Sequence, residues 1–94
     1  NLELPRTARY IYYNAGIRVA KSQLQIGDLV FFRTYASYPS HVGIYMGNNL
    51  FIHASSGARK VAITRLDKKY YTKRYIGAKR IPLSAIFEKE YSQR

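Results

Sequence analysis

Ninety-four residues make one domain, long enough to bury a core and short enough that each element of that core matters. A hydrophobic share of 47% with 22% charged residues excludes a disordered chain, and apolar runs of four residues, such as Leu29 to Phe32, are far short of the roughly 20 needed to cross a bilayer. A net charge of +11 implies attraction to polyanions, whether nucleic acid, anionic headgroups or cell-wall polymers, and zero cysteines exclude disulfides and thiolate metal sites.

The chain begins at Asn1 and not at a methionine, which predicts that the start of the gene product has been removed. Pro5 suits the first turn of a helix, Thr7 to Asn14 continue it, and Gly16 is a stop signal. Tyr10, Tyr12 and Tyr13 on that segment either cap a core or line a cleft wall. Gln25 to Asp28 reads as a turn, in which Asp28 supplies ordinary turn chemistry, and Leu29 to Phe32 as a buried strand. Tyr35 to Ser40 is loop. His41 to Met46 and Leu50 to Ala54 flank Gly47-Asn48-Asn49, residue types that tolerate the positive φ angles of a tight hairpin. Val61 and Ile63, then Tyr75 to Ile81, predict two more strands. Lys68-Lys69, Lys73-Arg74 and Lys79-Arg80, interleaved with Tyr70, Tyr71 and Tyr75, read as a solvated basic face. The fold class is α+β: a small antiparallel sheet with a flanking helix.

The only two histidines, His41 and His53, lie on the two arms of the hairpin. Side chains alternate along a strand, so Val42, Ile44, Met46 with Leu50, Ile52, Ala54 are predicted to form the core face, and the histidines to share the opposite one. A three-residue turn sets Gly43 opposite His53 and puts His41 diagonal to it, roughly 7 to 8 Å away between backbone positions. A two-residue turn at Asn48-Asn49 would send the histidines to opposite faces. The residues alone leave two readings open: ordinary half-buried histidines, or a general base with an orienting partner. Two histidines without a third ligand at a familiar spacing do not make a metal site, even with Asp28 or Asp67 in reserve, so no metal or other cofactor is expected.

Five segments together resemble the NlpC-type cell-wall hydrolases, papain-like cysteine peptidases that cut bacterial peptidoglycan: LPRTAR at Leu4 to Arg9, LQIGDLVFF at Leu24 to Phe32, SHVGIYMGNN at Ser40 to Asn49, FIHASS at Phe51 to Ser56 and RYIGAKRI at Arg74 to Ile81. The resemblance implies a papain-like core in which His41 is the catalytic base and His53 the residue that orients it. In the family the nucleophilic cysteine starts a helix that precedes the LPRTAR-like segment. Residues 1–94 therefore correspond to the C-terminal part of one such domain without its cysteine helix, inactive alone, with an upstream segment as the expected partner that carries the thiol. The implied substrate is the peptidoglycan stem peptide, cut after a γ-linked D-glutamyl residue, in a periplasmic, envelope-bound or secreted setting. Ser40 either contacts the substrate or merely ends the loop before His41. Gly43 either leaves room at the cleft base or is a strand glycine beside a bulky neighbour. The alternative is a non-catalytic peptidoglycan-binding module that has lost its nucleophile. Nucleic acid is not expected as a partner, because no nucleic-acid-binding motif accompanies the charge.

Overall fold

The computed structural model describes residues 4–55 and 60–81. Helix α1 (Leu4–Asn14) opens with Pro5 in its first turn, where a missing N–H costs nothing, and ends before Gly16, whose φ of 69° a residue with a side chain adopts only with strain. Six strands follow: β1 (Ile17–Val19), β2 (Leu29–Phe32), β3 (His41–Gly47), β4 (Leu50–Ser55), β5 (Lys60–Arg65) and β6 (Tyr75–Arg80). They form one sheet in the order β1-β6-β2-β3-β4-β5, with every neighbouring pair antiparallel. A turn of 3-10 helix (Lys21–Gln23) joins β1 to the turn before β2, and a six-residue helix α2 (Lys69–Arg74) joins β5 to β6. The short β1 and α2 lie where the sequence shows no period long enough to predict an element.

Burial is unequal on the two faces of the sheet. One face holds the core: Val30, Phe32, Phe51, Leu66 and Ala78 are buried together, with Tyr45, Tyr71 and Tyr75 packed around them. Helix α1 sits on the other face, where Tyr12 meets the ring of buried Phe31 edge-on at 5.2 Å. The Tyr12 hydroxyl donates to the Ile76 carbonyl at 2.9 Å, and Gly77 makes room for that ring, since a Cβ there would lie 2.8 Å from Tyr12 Oη. Tyr12 thus caps a core, whereas Tyr10 and Tyr13 are exposed.

The predicted core face is corrected by this arrangement. Ile44 is 47% exposed, and on the same face of β5, beyond its hairpin partner Ile52, Val61 and Ile63 are 65% and 57% exposed. The buried face is the one carrying Gly43, Tyr45, Phe51 and His53. Binary patterning fails because β3 and β4 are apolar on both faces, so alternation cannot rank them. The large aromatic areas of Phe32 and Phe51, in contact at 5.1 Å, decide instead.

The hairpin also departs in detail from the expected turn. Asn48 and Asn49 have φ of 53° and 65°, the backbone of a two-residue type I′ turn. Gly47 pairs with Leu50, but Tyr45 pairs with Phe51, leaving Met46 as an extra, bulged residue. The bulge restores the register that a three-residue turn would have produced. Both histidines remain on one face, and that face is the core face.

Candidate active site

Strand β3 delivers His41 and strand β4 delivers His53. The two rings stand nearly perpendicular, at 89° with centroids 4.9 Å apart, and His41 Nε2 lies 2.8 Å from His53 Nδ1. One N–H shared across that gap is a direct hydrogen bond. Two features of the hairpin allow it. A Cβ on Gly43 would stand 2.6 Å from Phe51 Cδ2 and 3.2 Å from His53 Cβ, so only glycine lets β4 approach this closely. Ala62, opposite His53 on β5, adds a small neighbour on the other side.

Aromatic rings enclose the pair. Phe51 stacks on His53 at 4.5 Å, and Tyr71 of α2 stacks over His41 at 6.3 Å and meets His53 edge-on at 5.5 Å. His53 is only 6% exposed, while His41 is half-buried and reachable from solvent. Burial disfavours the imidazolium in both rings, and the neighbouring His53 adds to this at His41, which is pushed down to about 4. At neutral pH both rings are therefore uncharged. His53 Nε2 is engaged by Thr64 Oγ1 at 2.8 Å. Among the described residues nothing bonds His41 Nδ1. Such a pair can act as a neutral base, with one nitrogen of His41 held from behind and the other without a partner among the described residues.

Ser40 stands beside His41 but its hydroxyl is already used. At 4% exposure, Ser40 Oγ accepts from the Thr34 backbone N–H at 3.0 Å and lies 3.2 Å from the Thr34 hydroxyl, closing the loop that leads into β3. Asp28 does more than make its turn. It accepts from the Gln25 N–H, as the turn reading requires, and also takes a two-pronged bond from Arg80, 52 residues away, at 2.8 and 2.9 Å. Tyr71 and Thr64 were not singled out by the sequence. Tyr71 was hidden in a basic run, and Thr64 becomes visible only once the Phe51–Thr64 pairing of β4 with β5 places it beside His53. No cluster of three metal-ligating side chains exists among the described residues. Ser56, at the end of the FIHASS segment, lies outside the described residues.

Two imidazoles hydrogen-bonded to each other on neighbouring strands of a small antiparallel sheet make an arrangement that can hold and move a proton. The family model described as NlpC/P60 family matches residues 1–80, and the chain belongs to that family. It is 48% identical over 75 residues to a probable peptidoglycan endopeptidase, LytE, of Bacillus subtilis, a match that covers 80% of this chain and 21% of the relative. With the murein DD-endopeptidase MepS/murein LD-carboxypeptidase of Escherichia coli K12 it shares 46% over 80 residues, 85% of this chain and 41% of the relative. A crystal structure of an NLP/P60 family protein, similar to lipoprotein, from Staphylococcus aureus superposes with a TM-score of 0.69 at 32% identity, covering 83% of this chain and 26% of that one. A family member from Bacillus cereus gives 0.64 at 37% identity over 71% of this chain and 23% of its own. The chain thus spans about a fifth to two-fifths of the length of these curated relatives.

Proposed function

We propose that this chain supplies the base half of a cysteine endopeptidase site that cuts peptidoglycan stem peptides, with the nucleophilic thiol contributed by residues upstream of Asn1. In this reading residues 1–94 are the C-terminal part of one peptidase domain. The observation that carries it is the 2.8 Å bond from His41 Nε2 to His53 Nδ1, which orients His41 and leaves its Nδ1 unspent. The endopeptidase names of the relatives support the reaction class.

The chemistry follows from the protonation state. A neutral His41 can take the thiol proton at Nδ1, and the thiolate so formed stands beside an imidazolium that it stabilises in turn. The thiolate attacks the scissile carbonyl carbon, and His41 returns the proton to the leaving amine as the C–N bond breaks. Water, giving a proton to His41, then attacks the thioester, releasing the carboxylic acid, which ionises, and the thiolate, which regains its proton from His41. His53 is the orienter, accepting from His41 Nε2–H before and after the transfer. Gly43 keeps the floor beneath the pair thin, and Ser40 holds the loop before His41. The bond assigned is the one following a γ-linked D-glutamyl residue, and the basic surface suits an anionic wall in a periplasmic, envelope or secreted setting.

The test is digestion of purified peptidoglycan by the full-length gene product and by its His41→Ala variant, with released fragments identified by mass. Loss of fragments ending at the γ-glutamyl carboxylate in the variant is expected. Equal digestion by both proteins would overturn the reading. The absence of cysteine from the 94 residues favours one other reading, a wall-binding module without turnover. It predicts sedimentation with peptidoglycan and no fragments from either protein.

A further inference from the structure

The His53 ring is bonded at both nitrogens, and the second bond, 2.8 Å from Nε2 to Thr64 Oγ1, has no part in the scheme above. A neutral imidazole has one donor and one acceptor nitrogen, so a chain of two rings and a hydroxyl has two self-consistent proton arrangements. In the first, His41 donates from Nε2 to His53 Nδ1, and His53 donates from Nε2 to Thr64 Oγ1. In the second every proton is reversed: Thr64 donates to His53 Nε2, His53 Nδ1–H donates to His41 Nε2, and the remaining His41 proton sits on Nδ1. Only the first leaves His41 Nδ1 bare to accept a proton. Only the first survives when His41 carries two protons, because both its nitrogens are then donors.

We propose that Thr64 is a positioning residue, whose Oγ1 accepts the Nε2–H of His53 and so holds His53 in the tautomer that can receive the hydrogen bond of His41 throughout the proton transfer. Its position suits the role. Thr64 pairs with Phe51, the ring stacked on His53, so the hydroxyl and the ring it bonds are fixed by the same two strands. With a donor at His41 and an acceptor at Thr64, a 180° turn of the His53 ring would forfeit both bonds, which removes the usual freedom of a buried imidazole. The consequence for turnover rests on the peptidase reading, but the proton arrangement does not.

The experiment therefore uses the full-length gene product, with its cysteines changed to alanine so that no thiolate charges His41, labelled with 15N-histidine, and reads the His41 and His53 tautomers at pH 7 from two-bond 1H–15N correlations, in the otherwise wild-type protein, Thr64→Val and Thr64→Ser. Wild type and Thr64→Ser are expected to show His53 and His41 both protonated at Nε2 with Nδ1 bare. Thr64→Val, which keeps the shape and removes the oxygen, is expected to move the His53 nitrogens toward values averaged over both tautomers. A wild-type His53 protonated at Nδ1 overturns the proposal whatever the variants do, and so does a Thr64→Val spectrum identical to wild type. In the full-length protein with its cysteines in place, Thr64→Val should slow wall digestion by about tenfold, the weight of one buried hydrogen bond, with Thr64→Ser restoring it. If His41→Ala leaves digestion unchanged while the tautomers are as stated, the peptidase reading fails and the positioning role of Thr64 stands.

Discussion

Two of the polar clusters buried among the described residues are built on opposite principles. Around Asp28, which is 2% exposed, both carboxylate oxygens are engaged: each accepts from Arg80, and one also from the Gln25 N–H. The charge is matched by a charge, and the Arg80 guanidinium holds the carboxyl below its usual range. Around His41 and His53 there is no counter-charge among the described residues, both rings are held neutral by burial, and one nitrogen has no partner among those residues. A cluster whose charge is matched joins parts of a fold, here the turn before β2 and the end of β6. A cluster that orients a group and leaves it one bond short is suited to chemistry.

The sharpest way to break the contrast is to remove one member from each. His41→Ala should cost the full-length protein at least about a hundredfold in wall digestion, in the range for a lost general base, while its melting temperature stays close to wild type. Asp28→Ala should do the reverse to the fold. Losing one partner of a buried pair costs about 3–5 kcal/mol when both are dry, and about 2–3 kcal/mol is expected because the Arg80 side chain keeps 39% of its surface in water. Thermal unfolding reads this directly. Gly43→Ala should cost about 1–3 kcal/mol through overpacking against Phe51, and should also separate the two imidazoles, visible as altered histidine NMR shifts.

Acid should tell the clusters apart by pH range. Histidines whose protonation is disfavoured in the folded state give stability that is present at neutral pH and declines as the pH falls from about 6.5 toward about 4, because the unfolded chain binds the protons first. The carboxyl of Asp28, shifted down, contributes stability that is lost only at lower pH, below its ordinary 3.8. A melting-temperature profile should therefore fall in two stages, and His41→Ala should flatten the first and leave the second. A single transition unaffected by that substitution would show that the histidines are not held neutral. The smallest effect belongs to the open side of the sheet: Ile63→Thr, at a position 57% exposed, should change stability by less than about 1 kcal/mol.

Much of this was legible in the chain because it depends on local chemistry. The helix that ends before Gly16, the strand Leu29–Phe32, the loop to Ser40, and the Asn-rich hairpin are set by residues that prefer those conformations whatever surrounds them. The pairing of the two histidines was also legible, since the parity of β-strands fixes which side chains share a face once the net register is known. The way in which the register arises was not. A type I′ turn plus a bulged Met46 gives the same count as a longer loop, and sequence spacing cannot distinguish them.

By itself, then, the sequence determined the order of α1 and of β2 to β6, though not β1 or α2, together with the hairpin and the shared face of His41 and His53, because each follows from turn preference and a local period. Only the tertiary structure decided which face is buried, since β3 and β4 are apolar on both sides and the choice rests on where Phe32, Phe51 and Tyr71 converge. It also decided the two contacts that give each cluster its character. Arg80 reaches Asp28 across 52 residues, and Thr64 reaches His53 across 11, through strand pairings whose energy comes from the whole sheet and not from any local pattern.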